Sequence, residues 1–379
     1  MIVKFKDIAN YVAGQSPESK YYSSSEGIPF LQGNRTFGLY YPTIDTYTKK
    51  ITKIAKKGDI LMSVRAPVGD LNIAKEDICI GRGLSAITSK TGNNTFLFYS
   101  LKYNIQNLIR QSCGTTFDSI TRDVIENMNM IIPDDETNHI KISKLLSDID
   151  LKIDINSKIN SELESMAKTL YDYWFLQFEF PNEEGKPYKS SGGKMMWNEE
   201  LKREIPEGWK CRKIGDILIE ADKSKVKVNG AKENGHYPFF TSGENILSFD
   251  DYFVDGFNIF LNTGGNPDIK AYMGKCAYST DTWCVSAKEY SYVLYYYFLK
   301  LMPQFEQLFF AGSGLKHLQK KVLKNKFMLL PNDKILKLFN DFCLSNWRKI
   351  ANCLIQNKSL TSLRDFLLPL LMNGQVTFK

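Results

Sequence analysis

Two stretches of the chain carry a helical apolar period sustained well beyond the length of an ordinary domain helix. Between about Thr137 and Phe178, apolar residues recur at Ile142, Leu145, Ile149, Ile153, Ile159, Leu163, Met166, Leu170 and Trp174, with Asn156 in the one polar place of an alternation of three and four. That spacing predicts a helix with a narrow apolar seam. At about 1.5 Å per residue, roughly 40 residues make a rod about 60 Å long, which suits a coiled-coil spacer better than a domain core. A second such stretch runs from about Lys334 onward, its seam formed by Ile335, Leu338, Phe342, Ile350, Leu354, Asn357, Leu360, Leu363, Leu367 and Leu371. Each seam buries what the other leaves exposed if the two rods pack on each other. Asp148, Lys152, Lys158, Glu162 and Lys168 fall on the outward side of the first.

Around the rods the period changes. From Met1 to about Pro133 the chain is written in short β-like runs, Ile28–Leu31, Asp59–Val64, Ile78–Ile80 and Leu84–Thr88, with a helix expected around Phe96–Ile109. Ile120, Val124 and Ile125 predict a short amphipathic helix and Met130–Ile132 a last strand, after which Asp134 or Asp135 is placed to cap the first rod. The segment Cys113–Asp135 is then repeated without gaps at Ala311–Asp333: Gly114 matches Gly312, Phe117 Leu315, Ile120 Leu318, Val124 Val322, Asn127 Asn325, Met130 Met328 and Pro133 Pro331. Upstream, Ile28–Gly33 resembles Tyr237–Gly243, and Gly58–Ser63 resembles Phe257–Thr263. A repeat this long is a duplicated module rather than a solenoid unit. The expected boundaries are a first domain over 1–135, a first rod over 136–178, an extended connector over 179–210, a second domain over 211–333 and a second rod over 334–379. The fold class is therefore α+β, two similar α/β domains and two long helices in a pseudo-twofold repeat.

Composition narrows the function classes. The 379 residues carry a formal charge of +7, which favours a polyanionic partner, and 13% are aromatic. The seven cysteines are scattered and never in a CxxC pair, so they read as thiols in a reducing compartment rather than as a zinc site or a disulfide framework. No apolar run approaches a membrane span, and the expected location is cytoplasmic. There is no G-x-x-x-x-G-K-[ST] loop and no Gly-rich turn in a parallel α/β pattern. Asn266–Asp268, NPD, lacks the second proline and the aromatic of an amino-methyltransferase signature and reads as a turn. His139, His236 and His317 are widely spaced, and His139 reads as solvated. No metal site or catalytic residue is expected.

The chain resembles, over essentially its whole length, the specificity subunit of a type I restriction-modification system. The resemblance is carried by Lys186–Lys210 (KPYKSSGGKMMWNEELKREIPEGWK), Gly58–Ala74 (GDILMSVRAPVGDLNIA), the doubled signatures Gly114–Pro133 and Gly312–Pro331, and the ending Ser362–Val376. It implies two target-recognition domains, each reading one half of a bipartite double-stranded DNA site, held apart by two antiparallel helices. It also implies a subunit with no activity of its own. Its partners would be two adenine-N6 methyltransferase subunits using S-adenosylmethionine and motor-nuclease subunits using ATP and magnesium, with no cofactor in this chain. A rigid rod between similar domains acts as a ruler, converting a fixed separation into a fixed number of unread base pairs. The alternatives are a specificity subunit of a methylation-only or other defence complex, a stand-alone methyltransferase or nuclease with a cryptic site, and a scaffold without sequence preference.

Reading DNA requires cations for phosphates and planar polar groups for base edges. The loop-borne candidates in the first domain are Gln32, Asn34, Arg35, Arg65 and Arg82. In the second they are Asn266, Lys270, Lys275, Lys316, Lys320 and Lys321, the last three in a strongly basic segment that continues to Lys324 and Lys326. The competing reading for each is a surface charge paired within the protein. The second domain lacks a clean counterpart of Arg65–Asp70, having Gly264–Lys275 instead. Tyr171, Trp174, Phe175 and Phe178 form an apolar end to the first rod that either docks a partner protein or packs on this chain's own second domain. The aromatic run Tyr292, Tyr295, Tyr296, Tyr297 and Phe298 reads as a buried element.

Overall fold

The structure is a computed structural model and describes residues 1–112, 120–233, 235–312, 314 and 316–378, without the side chains of 106–112. The matches at Gly114, Phe117 and Leu315 lie outside the described residues. The chain divides into two compact units, 1–155 with 356–379 and 156–355.

Unit 1 has a four-stranded antiparallel sheet in the order Ala9–Ala13, Leu84–Ser89, Ile60–Ser63, Leu71–Ile73. All four residues of Ile60–Ser63 are buried, as a continuous apolar run at the centre of a sheet requires. A second sheet contains a parallel pair, Ile28–Leu31 beside Ile78–Ile80, with Leu31 opposite Ile80. Strand Ile2–Lys4 pairs with Asn129–Ile131, and the helix Asn94–Ser112 packs through Phe96, Leu97, Tyr99 and Leu101 into one core.

Unit 2 has the same plan. Its four-stranded sheet runs Ile219–Glu220, Thr282–Ser286, Phe257–Asn262, Ile269–Met273, and its parallel pair is Tyr237–Phe240 beside Ala277–Tyr278, with Phe240 opposite Tyr278. Lys210–Lys213 pairs with Phe327–Leu330, and the aromatic helix Ser291–Phe309 buries Tyr292, Tyr295, Tyr296 and Phe298. The short helices Arg122–Glu126 and Lys320–Lys324 occupy matching places and bury Ile125 and Leu323. The repeat in the sequence is thus a repeat of strand order, direction and register.

The first long helix runs from Glu136 to Tyr171, with Thr137 N–H donating to Asp135 Oδ1 at 2.9 Å at its start. A wider π-type turn, Asp172–Leu176, follows it, and Phe178 at φ 65° ends the helical path. The second long helix spans Asp333–Met372. In unit 1 the two pack antiparallel: Arg364 Nη1 meets Asp150 Oδ1 at 2.7 Å, and Asn357 Nδ2 donates to Ile153 O at 3.3 Å. In unit 2 Tyr171 and Phe175 lie against Phe339.

The seams differ from the apolar pattern in phase. Ile159, Met166, Leu338 and Leu363 are exposed, while Asn160, Ala167, Phe339 and Arg364 are buried. On the first helix the inward row passes through Ile142, Leu146, Ile149, Ile153, Asn156, Asn160, Leu163 and Ala167, a strict alternation of four and three. Polar and small residues occupy seam positions, so apolarity alone selects their neighbours. His139 is likewise not merely solvated: its ring stacks on Phe96 with centroids 3.8 Å apart. Cys79, Cys276, Cys284, Cys343 and Cys353 are buried free thiols. Among the described residues no helix is long and apolar enough to cross a membrane.

Candidate nucleic-acid interface

Three loops of unit 1 meet where the two sheets adjoin. Gln32–Arg35 follows one strand of the parallel pair, and Gly81–Gly83 follows the other. Arg65–Asp70 joins two strands of the antiparallel sheet. Gly81 N–H donates to Leu31 O at 2.8 Å, Gly83 N–H to Gln32 O at 3.1 Å and Val64 N–H to Gly83 O at 2.9 Å. The approach needs glycine: a Cβ on Gly81 would lie 2.9 Å from Gln32 Cα, and one on Gly83 would lie 2.6 Å from Gln32 O. Ser63 Oγ accepts from Asp70 N–H at 2.9 Å and donates to Pro67 O at 2.7 Å, fixing the middle loop from below. Asn34 Nδ2 donates to Asp70 Oδ2 at 2.5 Å, and Ser16 Oγ donates to Gln32 Oε1 at 2.8 Å while accepting from Arg82 N–H at 3.0 Å.

These loops bring Gln32, Asn34, Arg35, Arg65 and Arg82 into one neighbourhood. Their side chains are not equivalent. Arg35 is tied to Asp45 at 2.6 Å, and that hydrogen bond holds the Asp45 carboxyl below the usual carboxylate range. Arg65 and Arg82 are exposed and have no ion pair among the described residues. They are the two cations of this cluster open to a ligand.

Unit 2 builds the corresponding place with other residues. Thr263 N–H donates to Asp281 O at 3.0 Å as Val64 does to Gly83 O, and Leu318 N–H donates to Thr263 O at 3.0 Å as Ile120 does to Val64 O at 3.0 Å. The counterpart of Arg65–Asp70 is therefore Gly264–Asp268, between Phe257–Asn262 and Ile269–Met273. Asn262 replaces Ser63 as its anchor, with Nδ2 donating at 3.0 Å to both Ser242 O and Asn266 O. Periodicity gives no sign of this role, because Asn262 looks like a strand end. Only the pairing registers reveal it.

Lys270 departs from its expected role. Its side chain is only 15% exposed, pairs with Asp268 at 2.6 Å and donates to Gly243 O at 2.7 Å and Thr241 O at 3.2 Å, so it braces the loops from inside. Asn266 is exposed at the loop tip. Lys275 lies over Tyr252 at 4.5 Å, on the far side of the Ile269–Met273 strand from the loop. The basic segment is also partly spoken for. Lys316 pairs with Glu306 at 2.6 Å, Lys324 with Glu220, and Lys320 sits 4.7 Å over Trp283, where burial pulls its ammonium below the ordinary lysine range. Lys321 is exposed without an ion pair among the described residues.

The aromatic end of the first long helix is a correction. Tyr171, Phe175 and Phe178 are 3%, 3% and 4% exposed and packed with Phe339, Trp209 and Tyr296 inside unit 2, so their rings form core rather than an apolar docking face. Trp174 remains half-buried.

The family model described as "Type I restriction modification DNA specificity domain" matches residues 1–165 and again 206–344, one match for each copy of the fold. The chain belongs to this family. Its members are the DNA-recognition, not the catalytic, subunits of these systems. The Type I restriction enzyme MjaIX specificity subunit of Methanocaldococcus jannaschii is 27% identical over 415 residues, spanning 99% of this chain and 93% of that one. The HindI specificity subunit of Haemophilus influenzae is 22% identical over 71% of this chain and 73% of its own. The crystal structure of the type I restriction-modification S subunit from M. genitalium superposes with a TM-score of 0.63 at 14% identity, covering 98% of this chain and 95% of that one, so the fold is shared.

Proposed function

We propose that the chain reads a bipartite DNA duplex, one half through each loop cluster, and delivers adenine-N6 methyltransferase and motor-nuclease subunits to it in the cytoplasm. The observation that carries this reading is one scaffold used twice with different tips. The backbone hydrogen bonds from Val64, Ile120 and Gly81 recur in unit 2 from Thr263, Leu318 and Ser279, while the side chains the loops carry change from Gln32, Arg65 and Arg82 to Thr241, Asn266 and Thr280. Paired donors of Arg and Gln suit guanine and adenine edges, and Asn suits adenine. Lys316, Lys320 and Lys321 are proposed to meet phosphates. S-adenosylmethionine and ATP are assigned to the partner subunits.

Recruitment of partners is supported by apolar side chains left in water on the long helices, Leu151 and Phe366 in unit 1 and Ile159 and Met166 in unit 2. The test is co-expression with the methyltransferase subunit of the same system in a host lacking adenine methylation, followed by genome-wide mapping of methylated adenines. A two-part asymmetric motif with a fixed gap is the expected result. A contiguous or symmetric motif would mean that one cluster alone reads. The methylation-only alternative predicts the same motif without cleavage of unmodified DNA when the full system is supplied.

A further inference from the structure

Unit 2 holds a recessed pocket of about 420 Å³ away from the loop cluster, with which it shares no residue. Three cations line it: Arg203 from the connector, Lys300 from the aromatic helix and Lys326 from the turn before the last strand. None of them has an ion pair among the described residues. The one carboxylate in the wall is Glu200, which is also unpaired among the described residues, so the lining carries a net positive charge. Tyr171 lines the same space. Its ring is packed in the core while its hydroxyl, which has no hydrogen-bond partner among the described residues, faces Tyr297, Asp172 and Arg203. Asp172 is engaged by Lys168 at 2.7 Å. A hydroxyl without a partner that opens onto cations free of ion pairs is a place prepared for an acceptor.

The duplication supplies an internal control. Lys300 stands where Lys102 stands in the first copy, since both lie equally far from the matched strands on either side. There the neighbouring cation is Arg364, and Asp150 and Asp365 answer the charge of both. Around Lys300 the neighbouring cations are Arg203 and Lys326, and the carboxylate that answers them is the single Asp172, already engaged by Lys168. Burial, then Arg203, holds its ammonium below the ordinary lysine range against the pull of Asp172, as burial and Arg364 do for Lys102. The same helix position faces two carboxylates in one copy and one, already shared with another lysine, in the other.

We propose that this pocket is an anion seat for a carboxylate presented by the protein subunit that the chain recruits. Leu176, Leu301 and Met328 line the pocket beside the charged groups, which suits an acidic side chain with its hydrocarbon stem better than the backbone of a rigid duplex. The inference rests on the recruitment reading above and gives it a place on the molecule.

The test uses the full-length chain and the purified methyltransferase subunit of the same system. Lys300→Gln, Lys326→Gln and Tyr171→Phe are compared with the parent for affinity toward that subunit and, with the subunit saturating, for affinity toward the duplex carrying the methylated motif. Thermal unfolding establishes that each variant folds. Each lysine variant is expected to weaken the protein complex about tenfold, the loss of one charge-assisted hydrogen bond, and Tyr171→Phe to weaken it several-fold, with duplex affinity unchanged. Unchanged protein affinity in all three would overturn the seat. So would a loss confined to the duplex, which would make the pocket a phosphate site. If the parent chain itself fails to bind the methyltransferase subunit, the recruitment reading falls and the seat with it.

Discussion

Arg364 is the residue whose placement is hardest to reconcile with a purely apolar seam. It is 6% exposed on the second long helix and meets Asp150, 2% exposed on the first, at 2.7 Å. Tyr99 Oη donates to the other oxygen of Asp150 at 2.7 Å, and Tyr40 Oη lies 3.0 Å from Tyr99 Oη, so the pair is also bound to the recognition domain of unit 1. Burial pushes the Tyr40 hydroxyl up to about 12, which keeps it protonated throughout the physiological range. Such a pair adds little net stability over an apolar one, but removing one partner strands a charge. Arg364→Ala is expected to destabilise unit 1 by about 3–5 kcal/mol. Replacing both partners, Asp150→Leu with Arg364→Met, is expected to cost less. Hydrogen exchange over residues 145–155 reads both; equal protection in the parent and the Arg364→Ala chain would refute the assignment.

At the scale of elements, the two long helices show what apolar periodicity can and cannot specify. Their existence and extent are legible in it: the strands at 28–31, 78–80 and 84–89 and the helix at 94–112 also fall close to where alternation and turn residues put them. The phase of the seams is not, because Asn160, Ala167 and Arg364 take inward places while Ile159, Met166 and Leu363 face water. Nothing in a single residue's hydropathy announces that reversal; it depends on which neighbour each face meets. Asn160 makes this testable. Its Oδ1 is buried without a partner among the described residues, a group whose desolvation costs about 1–3 kcal/mol. Asn160→Leu is therefore expected to raise the denaturant midpoint of unit 2, and a lower midpoint would mean that the amide is needed to hold the helix register. The loops behave differently. Their convergence depends on glycine, and Gly81→Ala is expected to displace Gln32 and relax base selectivity in one half of the recognised motif, visible as added tolerated bases in the methylation map.

The molecule as a whole is one recognition module written twice, and the reach of the sequence stops where the copies diverge. Duplication is visible in matched residues such as Met130 and Met328. The second reading surface is hidden because Gly264–Asp268 shares almost no side chains with Arg65–Asp70 and is recognised only through the backbone bonds around it. Divergent tips on matching anchors make a sharp prediction for specificity. Arg65 and Arg82 lie in unit 1 and Asn266 in unit 2, so each cluster stands on its own scaffold. Arg82→Ala or Arg65→Ala should cost about 1–3 kcal/mol at one position of the site and relax only one half of the motif; Asn266→Ala should relax only the other. Replacing Lys316, Lys320 and Lys321 together should weaken binding to every duplex alike and flatten the dependence of affinity on salt by roughly one unit of slope for each phosphate no longer neutralised. Methylation mapping separates the first pair of outcomes, and titrations at several salt concentrations test the last. If a unit 1 substitution relaxed both halves at once, the two clusters would have to read the duplex as one surface, and the division of labour proposed for the repeat would be wrong.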